Sequence, residues 1–249
     1  MKQKVLPFIK EATTNKKKLL ALLLDPDKTT ETPIEVLQKT ILDPRIDLIF
    51  VGGSTVAANA TAKFLETLDT DKPVVLFPGD VKQISDKADA LLFLSLLSGD
   101  NPEYLIHQQR KAVPIVKNTS LEIIPTGYIL IDGGKETAVQ RVSKTKPISQ
   151  KDRDIIVHTA VAGMYMGKQL IYLEAGSGAT KEVQAETIQK VRNEIDIPLI
   201  VGGGIRNKKS LQAAYAAGAD IVVIGTAFEQ DDNFLDKLLP RKLQATSTK

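Results

Sequence analysis

The sequence predicts an α/β chain that closes into a single (β/α)8 TIM barrel, and three observations carry that reading. The chain has 249 residues, the usual size of one such barrel. Short apolar, β-branched runs alternate with helix-length amphipathic stretches, the pattern of parallel strands joined by crossover helices. Glycine-rich segments end the last three strands, where barrels of this kind hold their ligands. Strand number alone leaves a doubly wound open sheet as the rival, and the placement of the glycines decides for closure.

In chain order, residues 3–13 read as a lead-in helix. The first strand is 18–25, KLLALLLD, a continuous apolar run, with a helix after it at 31–42. DLIFV at 47–51 and a helix at 57–69 form the second unit. PVVLF at 73–77 is the third strand, and the stretch after it, 81–87, is too short and irregular for a full helix. ALLFLS at 90–95 is followed by a helix at 102–111. The fifth strand, 121–132, leads into 133–150, GGKETAVQRVSKTKPISQ, a polar, lysine-rich segment. Loops of that length in compact domains are lids or mobile connections, and both readings stay open here. A helix at 152–167 follows, then strand 169–174, helix 181–194, strand 198–201, helix 208–217 and strand 220–224. Residues 241–249 read as a frayed tail, and 1–249 as one domain.

Composition narrows the function classes. Cysteine is absent, which excludes disulfides and thiolate metal sites and suits a reducing compartment. The first residues carry no apolar stretch of signal-peptide length, and no apolar run spans a bilayer, so the expected location is cytoplasmic, with no integral membrane segment. The net charge of +3 is spread along the chain, and no basic face with stacking aromatics signals nucleic acid.

The chemistry gathers at three strand ends. The sixth strand closes in Tyr172, Leu173, Glu174, Ala175, Gly176, Ser177 and Gly178; the seventh in Gly202, Gly203 and Gly204; the eighth in Gly225 and Thr226. Glycines there let backbone N–H groups approach an anion without a Cβ in the way. Thr226 would open a short helix whose N-terminus faces a phosphate. Period two puts Tyr172 and Glu174 on one face of the strand, opposite Leu173, so an inward Glu174 would stand at the barrel mouth, able to hydrogen-bond substrate hydroxyls or take a proton. Asp25 ends the first strand and Ser54 follows the second; with the phosphates of a substrate they suit magnesium, although Asp-Pro is also an ordinary turn. His107 and His158 fall within helices and receive no catalytic role.

Seven segments in order, LLLDPDK (22–28), FVGGST (50–55), FPGD (77–80), FLSLLSGDNPEYLI (93–106), YLEAGSGA (172–179), VGGGIR (201–206) and IGTAFE (224–229), resemble the geranylgeranylglyceryl phosphate synthase family, which takes in bacterial heptaprenylglyceryl phosphate synthases. The resemblance implies a modified barrel whose third helix is replaced by a strand or loop. It implies an ether-forming transfer of an allylic polyprenyl group, geranylgeranyl, from its diphosphate to sn-glycerol 1-phosphate, with Mg2+. It places magnesium and the diphosphate at Asp25 and Ser54. It places glycerol phosphate at Tyr172 to Gly178, Gly203, Gly204, Gly225 and Thr226, with Glu174 as the proton acceptor. It further implies a homo-oligomer, dimer or hexamer. One position departs: some bacterial members carry a lysine two places before the aspartate, where this chain has Leu23. Leu96, Leu97, Tyr104 and the helix face at 161–166 are candidates for a prenyl groove. Taken without the resemblance, the residues also admit a sugar-phosphate isomerase, a thiamin phosphate synthase-like transferase or a non-catalytic phosphate-binding barrel.

Overall fold

A computed structural model describes residues 4–29, 33–53, 56, 59–225 and 234–239. Eight parallel strands close into a barrel in chain order: β1 (Leu19–Leu24), β2 (Leu48–Val51), β3 (Val74–Leu76), β4 (Ala90–Leu96), β5 (Glu122–Leu130), β6 (Leu170–Glu174), β7 (Leu199–Gly202) and β8 (Ile221–Ile224). Pairing of β1 with β8, Leu20 opposite Val222, makes the closure. The helices are α1 (Val5–Thr14), α2 (Pro26–Thr29), α3 (Ile34–Ile41), α4 (Ala60–Glu66), α5 (Gln108–Val116), α6 (Ala138–Ser143), α7 (Arg153–Tyr165), α8 (Ala185–Glu194), α9 (Lys208–Ala216) and α10 (Phe234–Leu238).

Strand periodicity sorts the core into two clusters. Leu19, Ala21, Leu48, Phe50, Val75 and Tyr172 fill the barrel interior. Leu20, Leu22, Ile49, Leu173 and Val201 point outward and pack under the helices. The lead-in helix belongs to the inner cluster through Val5, Ile9 and Ala12. It closes the N-terminal end of the barrel, where the carboxylate of Glu122 accepts from Val5 N at 2.5 Å and Leu6 N at 3.3 Å. That carboxylate satisfies donors an α-helix otherwise leaves open.

Three aspartates that precede even-numbered strands pin the same end. Asp47 accepts from Leu20 N (3.0 Å), Asp89 from Val74 N (2.8 Å) and Asp220 from Leu199 N (2.9 Å). Each ties the start of one strand to the strand before it. This face of a barrel carries stability, and the opposite face carries chemistry.

Three segments differ from ordinary crossover helices. After β3 there is only a 3-10 turn, Val81–Gln83, whose Asp80 side chain accepts from Lys82 N at 2.9 Å. The stretch after β4 opens with a π-helical turn, Glu103–His107, and then α5, which runs past the expected end at residue 111 and through Pro114. Pro114 removes one N–H, but only two residues of the helix remain beyond it. The expected loop 133–150 holds α6, started by a capping box in which Thr137 and Gln140 exchange bonds with each other's backbone. The expected tail 241–249 lies outside the described residues.

Candidate active site

A cavity of about 920 Å³ opens at the C-terminal ends of the strands. Its floor is built by inward-facing side chains. Phe77, Tyr128 and Tyr172 form an aromatic set, with ring centroids 5.3 Å apart for Phe77–Tyr172 and for Tyr128–Tyr172, and 5.7 Å for Phe77–Tyr128. Phe77 and Tyr128 line the cavity, and Tyr172 lies beneath them, fully buried.

Glu174 is the last residue of β6, reaches the cavity, and is 7% exposed. Its Oε1 accepts from Gly176 N at 2.6 Å. Burial pushes its carboxyl up to about 7, against the opposing influence of Tyr172 and the Gly176 N–H. The Tyr172 hydroxyl stands close enough to favour the charged carboxylate, yet it makes no hydrogen bond of regular geometry. Burial also raises the Tyr172 and Tyr128 hydroxyls well above their ordinary values, so both stay protonated.

Beside Glu174 the ends of β6, β7 and β8 form a shallow cradle of Gly176, Ser177, Gly178, Gly203, Gly204 and Gly225, all lining the cavity. Gly203 needs its missing side chain twice over. Its φ is +81°, and a Cβ there would lie 2.5 Å from Glu174 Oε1 and 2.6 Å from Gly176 N. Gly176, at φ +100°, would drive a Cβ into Thr137 of the covering segment. The Gly203 and Gly204 amides meet no acceptor among the described residues. Such amides, next to a cavity, suit an anion.

Across the mouth, Asp25 continues the inward parity of Leu19, Ala21 and Leu23. Its Oδ1 accepts from Asp27 N at 3.2 Å, and its Oδ2 stands 3.2 Å from Lys28 Nζ. Gly53 lies so close that a Cβ would fall 2.7 Å from the Asp25 carboxylate. Ser54 and Thr226 are outside the described residues. No group of three or more His, Cys, Asp or Glu side chains capable of holding a metal occurs among the described residues.

The third part of the cavity is apolar. Leu91 and Phe93 have the outward parity of β4, yet they line the cavity with Ile84, Leu94, Tyr104 and Ala112. The space therefore leaves the barrel mouth between the 3-10 turn and α5, where a full third helix would otherwise lie. Leu96 and Tyr104 are where the groove reading expects them. Leu97 is not: it packs in the outer core above Gly127 and Gly163. The 161–166 helix face is not either, since Val161, Ala162 and Tyr165 border a separate groove between α7 and α8.

The segment around α6 roofs the site. Thr137, Val139, Arg141 and Val142 line the cavity. Tyr104 Oη donates to Val142 O at 3.3 Å, and Asn101 Nδ2 to Ser143 O at 2.7 Å, which holds α6 to the π turn. Among the expected binding residues, Leu173 and Ala175 direct their side chains into the outer core, so only their backbone faces the strand ends. Phe77, Tyr128 and Arg206 line the cavity without having been singled out for a role. Tyr128 was readable, because it shares the parity of Leu130.

A family model described as the PcrB family matches residues 12–242. The chain is 54% identical over 233 residues to geranylgeranylglyceryl phosphate synthase of Zunongwangia profunda, covering 92% of this chain and 98% of that one. It is 52% identical over 242 residues to the protein of the same name from Flavobacterium johnsoniae, covering 95% and 100%. Among solved structures it resembles (S)-3-O-geranylgeranylglyceryl phosphate synthase of Thermoplasma acidophilum in complex with its substrate sn-glycerol-1-phosphate, at a TM-score of 0.87, 35% identity and 96% coverage of both chains.

Proposed function

The chain belongs to the PcrB family, and from that premise we propose that it is a prenyltransferase forming the ether bond between sn-glycerol 1-phosphate and geranylgeranyl diphosphate. The observation that carries this reading is one cavity in which a buried carboxylate, Glu174, stands between a glycine cradle and an apolar groove. The phosphate of sn-glycerol 1-phosphate sits in the cradle of Gly176 to Gly178, Gly203, Gly204, Gly225 and Thr226. Hydrogen bonds to a charged group contribute about 1.5–3 kcal/mol each, so a few backbone donors suffice to anchor it. That places the glycerol hydroxyls over Glu174. As the hydroxyl oxygen bonds to the allylic carbon and the carbon–oxygen bond to diphosphate breaks, Glu174 accepts the hydroxyl proton. Fixing both reactants in one cavity can supply about 7–11 kcal/mol of the barrier. The roof formed by α6 and the aromatic floor keep water from the allylic carbon.

The proposal includes magnesium at the diphosphate end. Asp25, a carboxylate at the mouth, and Ser54, which lies outside the described residues, would supply hard oxygen ligands of the kind this ion takes beside substrate phosphates. Bound there, the ion would stabilise the charge that grows on departing diphosphate. Lys28, 3.2 Å from Asp25, adds positive charge on the same side. The prenyl chain follows Phe93, Leu94, Ile84 and Ala112 into the space left by the short third crossover, and a sugar-phosphate isomerase would have no use for that groove. Assembly as a homo-oligomer and a cytoplasmic location belong to the same proposal. Tyr165 and Met166, 81% and 72% exposed, are apolar surface that a second subunit would cover. No helix of the described residues is long and apolar enough to cross a membrane.

The reading is tested by following diphosphate release from purified protein with magnesium. Release that requires both sn-glycerol 1-phosphate and geranylgeranyl diphosphate supports it. No release with any prenyl donor from ten to thirty-five carbons, a range of about that span, would overturn it.

A further inference from the structure

We propose that Arg206 is the positioning residue of the phosphate end: it locks the 176–179 turn in its anion-binding shape and adds the cation that the cradle otherwise lacks. The inference rests on the function proposed above and assigns a role within that site. Arg206 follows the Gly203–Gly204–Ile205 turn and lines the same cavity as the cradle. Its guanidinium reaches back from the end of β7 to the loop after β6, donating through Nη2 to Ala179 O at 2.7 Å and Gly178 O at 3.4 Å.

The other polar groups of that turn are committed in directions that make this contact matter. Gly176 N donates to Glu174, Ala179 N donates to Gly176 O at 3.1 Å, and Thr180 N and Lys181 N both donate to Gly133 O at 3.0 Å. The carbonyls of Gly178 and Ala179 are turned toward Arg206, so the 178–179 and 179–180 peptide planes are held by its guanidinium. Without the guanidinium those carbonyls lose their donor, and the peptide after Gly178, whose φ is +73°, keeps only the Ala179 N to Gly176 O bond to hold its plane. A rotated peptide would present a carbonyl oxygen, rather than an N–H, to a phosphate.

Charge points the same way. Four cations line the cavity among the described residues: Lys28, Lys135, Arg141 and Arg206. Lys28 is paired with Asp25, and Arg141 stands 3.7 Å from Glu136. Lys135 lies on the covering segment. Arg206 is the one on the cradle loops, and no carboxylate among the described residues pairs with it. β1 contributes only Leu23 and Asp25 on this side, neither of which can balance a phosphate. Both carbonyl bonds come from the one nitrogen Nη2, which leaves the rest of the planar guanidinium to present donors and charge to an anion, a division of labour that an ammonium makes less well.

The test uses Arg206→Ala, Arg206→Gln and Arg206→Lys in the full chain. Calorimetric titration with sn-glycerol 1-phosphate, and separately with inorganic phosphate, is read beside KM for each substrate and the thermal midpoint. For Ala and Gln, affinity for sn-glycerol 1-phosphate falls about 10–100-fold and its KM rises in step. KM for the prenyl diphosphate and the thermal midpoint stay near wild type, and Lys recovers part of the loss. Undiminished affinity in Arg206→Ala overturns the inference alone. Equal rises in both KM values with a lowered thermal midpoint also overturn it, because they mark general damage. Wild-type protein that binds neither sn-glycerol 1-phosphate nor inorganic phosphate overturns the proposed function and this inference together.

Discussion

Replacing Glu174 by glutamine separates the proton acceptor from the scaffold that holds it. The side chains are nearly the same size, and the amide oxygen can still accept from Gly176 N, which now stands 2.6 Å from Oε1. What disappears is the group that takes the glycerol proton. Positioned general bases contribute about 10²–10⁴-fold, so turnover at saturating substrates is expected to fall by about that factor while both KM values change little. Stability moves the other way. Burial raises the carboxyl from 4.5 to about 7, so the folded protein holds this proton more tightly than the unfolded chain does. Stability therefore falls as pH rises from 4.5 to about 7, and the loss is complete above that window. At about 1.4 kcal/mol for each tenfold, the cost at pH 8 is about 3 kcal/mol, which the glutamine variant escapes. Urea unfolding at about pH 4 and pH 8 reads the difference, with the variant more stable at the higher pH and the gap closed at the lower one. A turnover number within about threefold of wild type would refute the assignment of Glu174 as base, being far below the expected general-base effect. A stability gap that does not change with pH would refute the buried, raised carboxyl.

Three further outcomes follow from the geometry. Tyr172→Phe removes a fully buried hydroxyl without a regular partner, so the thermal midpoint should hold or rise. Its pH–rate profile should shift to higher pH, because Tyr172 helps keep Glu174 charged; an unmoved profile contradicts that link. Gly203→Ala places a methyl against Glu174 and Gly176 N in a backbone conformation that costs an L-residue about 1–2 kcal/mol, and binding of sn-glycerol 1-phosphate measured by calorimetry should be largely lost. Asp25→Ala, or chelation of the wild-type protein, should abolish diphosphate release while leaving sn-glycerol 1-phosphate affinity within a few-fold. Loss of both affinities would place Asp25 at the wrong end of the cavity.

The barrel was legible because its strands are continuous apolar runs bounded by turns: all eight lie within two residues of where the pattern puts them. The helices were less so. α6 hides in a polar stretch, and its one local signal, Thr137 three residues before Gln140, is a capping box that is easy to pass over among lysines. α5 continues through Pro114, which local propensity alone would treat as a stop. At the site, inward parity alone brings Glu174 beside the cradle; Gly202 and Gly203 are explained by the carboxylate they lie against, and Gly204 by the backbone at Lys181 and Glu182. The groove was only half readable. Tyr104 and Leu96 line it, but neither the strand period at Leu97 nor the helical period at Val161 says that these two turn to other neighbours. The outward-facing Leu91 and Phe93 become cavity residues only because the third crossover is a 3-10 turn, a tertiary consequence of a missing helix. Arg206 carried no signal in its own spacing, since its partners are backbone carbonyls 27 and 28 residues away.

The most direct measurement is mass spectrometry of the product formed from geranylgeranyl diphosphate and magnesium with either sn-glycerol 1-phosphate or its 3-phosphate enantiomer. An ether of geranylgeraniol and glycerol phosphate is expected from the 1-phosphate, and no comparable product from the enantiomer, whose hydroxyls would meet Glu174 in the wrong order. Free geranylgeraniol alone, or no turnover at all with the 1-phosphate, would contradict the assignment of this cavity to ether formation.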